Sequence, residues 1–199
     1  MKILDNITNT VRDDLRVEIK RGSKISVAAA CFSMYAYQEL KKQLESVEEF
    51  RFIFTSPTFV KEKAEKQKRE FYIPRLSRET SLYGTEFEIK LRNEMIQRAI
   101  AKECADWICR KARFKSNTTG ENMTGFMTVD AKDAQTAYMP MSGFTTVDIG
   151  CERGNNTYNM VNCMEAPFAQ QYMQLFEQLW NDREKMQDVT DAVIENIST

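Results

Sequence analysis

Chemistry at a protein site needs groups that move a proton or donate a lone pair near neutral pH. The residue best suited to that, histidine, is absent from this chain. Without imidazole there is no Ser-His-Asp triad, no Cys-His dyad, no histidine general base and no zinc site built on His. The thiols are Cys31, Cys104, Cys109, Cys151 and Cys163. Their number is odd and no C-x-x-C pair occurs, which predicts a reduced, cytoplasmic chain with no metal site. Cys31 lies in an apolar run and Cys104 on a helix face, where cysteine acts as a small buried hydrophobe. Reactivity would require a depressed pKa, and no neighbour in sequence supplies one. Cys109 and Cys151 stay open on sequence.

Neither G-x-G-x-x-G nor G-x-x-x-x-G-K-[ST] is present, so no cofactor loop of those types is expected. Gly150-Cys-Glu-Arg-Gly154 has the makings of an anion nest with Arg153, although a plain loop at a strand end is the stronger reading. Asp130, Asp133 and Asp148 fall near strand ends but in no ligand spacing, and turn-forming aspartate accounts for them.

Basic residues are the more informative feature. Lys61, Lys63, Lys66, Lys68, Arg69, Arg75 and Arg78 are opposed within their stretch by only Glu62, Glu65 and Glu70. Phe71 and Tyr72 are interleaved among them. Arg110, Lys111, Arg113 and Lys115 lie within six residues at a helix-to-strand junction, and on a strand Arg113 and Lys115 share a face. Such clusters, with Arg153, can follow a phosphate backbone. The alternative is an ordinary solvated surface.

The elements that must position these groups follow from periodicity. Ile7, Val11, Leu15 and Ile19 predict a helix over Ile3–Lys20, stopped by Gly22. KISVAAACF (24–32) and FRFIFT (50–55) predict buried strands, and the amphipathic stretch 34–47 between them makes a right-handed βαβ unit. Residues 58–84 read as a loop-rich insertion. The spacing predicts a long helix over Glu86–Lys111, then short strands over 113–116, 126–129, 136–139 and 144–149. A polar loop fills 150–162, and helices are expected over Pro167–Trp180 and Asp182–Ile197.

At 199 residues the chain fits one domain with an appended element, and 42% hydrophobic against 29% charged residues is ordinary for a globular protein. A net charge of −1 excludes bulk polyanion adhesion and leaves only local patches. The start has no signal-peptide core, and no apolar window is long enough to span a membrane.

In this order the segments KISVAAACFSMYAYQELKKQL, FRFIFTSPTF, KREFYIPRL, SLYGTEFEIKLRNE, AKECADWI and FEQLWND resemble a phospholipase D-like domain. The version they resemble stands at the N-terminus of bacterial helicases of the Swi/Snf type. The resemblance implies an α/β fold: a mixed, largely parallel sheet flanked by helices over 1–182, with a C-terminal helix over 183–199 leading towards a helicase region. The family signature is H-x-K, then Asp, then G-S-x-N, and its place here would be AQTAYMPMSGFTTVDIGCERGNN. There Ala134 replaces the histidine, Thr136 the lysine, Met141 the aspartate, Cys151 the serine and Arg153 the asparagine. The family attacks phosphorus with one histidine and uses a second as acid, so this chain should not run that reaction. The resemblance therefore implies an inactive binding or docking module of a helicase. Its expected partners are DNA, through the basic residues named above, or the motor domains, and a homodimer is a further expectation. The rival readings are a phosphodiesterase with a rebuilt site and a structural dimerisation module.

Overall fold

The computed structural model of the protein describes residues 1–57, 94–154 and 159–198. The two apolar runs form β2 (Lys24–Ala29) and β3 (Glu49–Phe54), parallel and in register from Lys24↔Glu49 to Ala29↔Phe54. Two short helices join them, α2 (Met34–Glu39) and α3 (Lys41–Ser46). Ser33 caps α2 by accepting the Tyr35 N–H. The single expected helix divides at Leu40, whose φ of −112° and ψ of 15° leave the helical well. A longer helix, α4 (Glu94–Lys111), leads into β4 (Ala112–Asn117), parallel to β3. The insertion read at 58–84 and the first part of the helix expected from Glu86 lie outside the described residues.

Beyond β4 the sheet departs from expectation. β5 (Phe126–Ala131) and β6 (Ala134–Met139) form a hairpin, and β7 (Val161–Met164) and β1 (Lys2–Leu4) continue it. The eight-stranded order is β1-β7-β6-β5-β2-β3-β4-β8, with β8 at Met186–Asp188. Only β2–β3 and β3–β4 are parallel, and the other five pairings are antiparallel. The sheet is thus mixed but not largely parallel. Each parallel neighbour needs a covering crossover. After β5 the chain turns back through Lys132-Asp133 instead.

Four other expectations are corrected. Residues 3–20 hold a strand and a shorter helix, α1 (Val11–Glu18), because Asp5 and Asn6 organise the chain between them. Asp5 Oδ1 accepts the N–H groups of Ile7, Thr8 and Asn9, each at 2.9 Å. Asn6, at φ 59°, accepts the Val11 N–H at 2.8 Å. Short polar side chains compete here with helical hydrogen bonds. Residues 144–149 are a turn tied by Thr145 and Asp148, with only Phe144 bridging to Phe32. The loop expected over 150–162 gives way to β7 at Val161. The last predicted helix begins later, as α6 (Thr190–Ser198), because Met186–Asp188 pairs with β4 first.

Strand alternation assigns the two faces. Phe50, Phe52, Phe54 and Phe114 point to one side, meet Phe32 and Phe144, and form the main core with α1, α2, α3, α4 and α6. The Trp107 indole N–H donates to the Leu44 carbonyl at 2.9 Å and fastens α4 to α3. The opposite side carries α5 (Phe168–Trp180), whose Phe176 packs with Ala28, Ile53, Phe126 and Met186. Among the described residues no helix is long and apolar enough to cross a membrane.

Candidate functional site

Strands β2, β3 and β4 all end on one edge of the sheet, and β2 is where its parallel half meets its antiparallel half. In open α/β sheets this is where a ligand crevice forms. The chain just beyond β6 closes over that edge. The Ala30 N–H donates to Ser142 O, Phe144 N–H to Cys31 O, Ser33 N–H to Phe144 O and Met141 N–H to Gly125 O. Two glycines permit the approach. A Cβ on Gly125 would stand 1.8 Å from Met141 O. A Cβ on Gly143 would stand 2.7 Å from Cys31 Sγ and 2.6 Å from Asp148 Oδ2.

Two acids are gathered into this turn, Asp148 and Glu152, and Glu152 accepts the Thr146 hydroxyl at 3.1 Å. Asp148 Oδ2 accepts Thr145 Oγ1–H at 2.7 Å and Thr145 N–H at 3.2 Å. Burial pushes its carboxyl above the ordinary value, partly offset by hydrogen bonds from Thr145 and the Gly143 N–H. Three of the thiols offer little nucleophilicity. Burial, with Glu39 adding to it, raises Cys151 to about 11 despite nearby Arg12. Burial and Asp14 raise Cys163 to about 12, and burial holds Cys104 well above its usual range. All three stay protonated at neutral pH. No cluster of three or more metal-ligating His, Cys, Asp or Glu side chains occurs among the described residues.

The positions aligned with the family signature do not converge. Ala134 and Thr136 begin β6, and the Thr136 hydroxyl donates to Glu18 Oε2 at 3.4 Å. Met141, Cys151 and Arg153 lie past the opposite end of that strand. Six extended residues span roughly 17–20 Å, so the placement divides one supposed site between two edges of the sheet.

The basic residues are also dispersed. Lys61, Lys63, Lys66, Lys68, Arg69, Arg75 and Arg78 lie outside the described residues. Arg110 ends α4 and pairs with Glu45 at 2.9 Å, and Lys111 Nζ donates to Val47 O at 2.8 Å. Arg113 and Lys115 do share a strand face, on the α5 side. There Arg113 pairs with Asp188 at 2.7 Å, and Lys115 Nζ donates to Trp180 O at 2.7 Å beneath the indole. Burial, followed by Arg51, Arg113 and Arg183, lowers the Lys115 pKa against the pull of Asp188. Arg153 is exposed beside the strand-end turn, at the other end of the sheet from Arg110 and Lys111.

Sequence reasoning passed over Arg51. Its guanidinium lies 5.0 Å from the Phe176 ring centroid and 5.5 Å from that of Trp180, and it pairs with Glu177. A lone arginine in an apolar strand and a lone glutamate in an otherwise uncharged helix were the available signal. No family profile and no curated protein matches this chain.

Proposed function

We propose that this chain is a catalytically silent module with a phospholipase D-like fold, which docks onto protein within a larger helicase-type assembly. The resemblance in the sequence carries the fold reading, and the sheet agrees with it in being mixed and flanked by helices, not in being largely parallel. The missing histidine supports silence, because the family reaction has no nucleophile and no acid here. The strand-end turn supplies no histidine in its place, and its two carboxylates are engaged, Asp148 by Thr145 and Gly143 and Glu152 by Thr146.

One observation favours protein docking over DNA contact. Arg110, Lys111, Arg113 and Lys115 each have an internal acceptor, and they do not form one surface. A phosphate backbone would have to displace Glu45, Asp188 and two carbonyls to reach them.

The test is a titration of labelled duplex and single-stranded DNA at low salt, with Lys111→Gln/Arg113→Gln beside the parent chain. The expected result is no salt-dependent binding by either protein. Binding that falls steeply with salt and is lost in the double variant would favour a nucleic-acid interface instead.

A further inference from the structure

Among the described residues α5 lies alone on its side of the sheet, while α1, α2, α3, α4 and α6 share the other. It is a helix almost without charge. Phe168–Trp180 carries only Glu177, in a chain of which 29% is charged, and that half-exposed glutamate is paired with Arg51 of β3. Glu177 lies on the far flank from one row of exposed positions, Phe168, Gln171, Leu175 and Gln178, spaced three, four and three apart. That is the spacing of a helix-pairing seam. Phe168 is 52% exposed and Leu175 42%, while Ala169 and Phe176 face the sheet fully buried. Gln174 is exposed and Tyr172 half-buried beside the seam. Aromatic and aliphatic side chains ringed by glutamine, with charge kept to the periphery, are what the centre of a protein interface looks like.

We propose that α5 is the docking surface, and that its partner is α5 of a second copy of this chain. The argument is one of charge. A partner bearing charge finds nothing to pair with on this seam, whereas a second α5 brings neither like-charge repulsion nor an unpaired ion. The seam is also self-complementary. Antiparallel pairing about a two-fold axis near Gln171–Tyr172 places Phe168 against Leu175 of the other copy on both sides of the axis. Phe168 and Leu175 are two turns apart, about 10 Å along the helix, so both contacts form together. This rests on the docking reading and names its partner.

The experiment is sedimentation velocity on the full chain up to about 100 µM. A reversible dimer is expected, with an affinity barely changed between low and high salt. Leu175→Glu should weaken it tenfold or more by placing a carboxylate against Phe168 of the other copy. Gln171→Lys, a surface change that leaves the core alone, should also weaken it, and Lys102→Glu on α4 should not. Thermal melts of each variant show that folding is intact. A parent chain that stays monomeric, or a dimer untouched by both seam variants, overturns the proposal. Either result leaves the docking reading itself to be judged by the DNA titration.

Discussion

Individual atoms decide how tightly the strand-end edge is closed. Gly125→Ala would force its Cβ into the Met141 carbonyl, at 1.8 Å before relaxation. Backbone cannot yield as a flexible side chain does, so the expected cost is about 2–3 kcal/mol, read as a lower urea midpoint. Asp148 makes a prediction in pH. Its folded pKa is raised above 3.8, chiefly by burial. The folded state therefore holds the proton more tightly than the unfolded chain does. The resulting stability is complete below 3.8 and is lost as pH rises through the folded value. Asp148→Asn has no such proton to lose. Relative to the parent, the variant should gain stability between pH 3.5 and pH 7, and a ΔΔG that is flat or reversed across that range would refute the assignment. In the main core beside α1, the Tyr138 hydroxyl donates to Asp14 Oδ2 at 2.6 Å in a buried site. Tyr138→Phe leaves that carboxylate short of a partner and should cost roughly 1–3 kcal/mol by the same denaturation measurement.

At the scale of elements, the closing edge of the sheet is the informative part. β8 pairs with β4, its Met186 is buried against α5, and Val189, Val193 and Ile197 are buried in the main core. The Thr190 hydroxyl accepts the Phe114 N–H at 2.8 Å. Burying side chains of this size contributes about 1.5–3 kcal/mol each, which together approaches the roughly 5–15 kcal/mol stability of a whole domain. A chain cut after Asp182 should lose cooperative unfolding by circular dichroism, and a sharp transition near that of the parent would contradict this. Periodicity made β2, β3 and α5 legible, because each buries a continuous face whose pattern stands in the sequence. It failed at both chain ends, in part for a shared physical reason. Three-residue edge strands such as Lys2–Leu4 and Met186–Asp188 are too short for a pattern, and are specified by their neighbours in the sheet. At Asp5 and Asn6, and again at Thr145 and Asp148, side-chain hydrogen bonds overrode apolar spacing that otherwise favoured helix or strand. The site was less legible still. The missing histidine was plain, but which residues meet at the strand ends depends on the segment 140–151 crossing from β6 to β2, and no local spacing encodes that crossing.

At the scale of the molecule, charge and chemistry agree. A net charge of −1 gives no excess of basic charge over the whole chain, and Arg51, Arg110, Lys111, Arg113 and Lys115 are each engaged within the protein. The side on which α5 is the one helix among the described residues presents an uncharged seam, which suits protein docking better than polyanion binding. The claim on which all of this depends is that the chain performs no phosphodiester chemistry. The direct measurement is turnover of an activated phosphodiester and of labelled DNA by the purified chain, with and without a series of divalent metals, beside Asp148→Asn. The account predicts rates equal to the protein-free control under every condition. Turnover that co-purifies with the chain and disappears in Asp148→Asn would contradict it, and would make the strand-end turn a working active site.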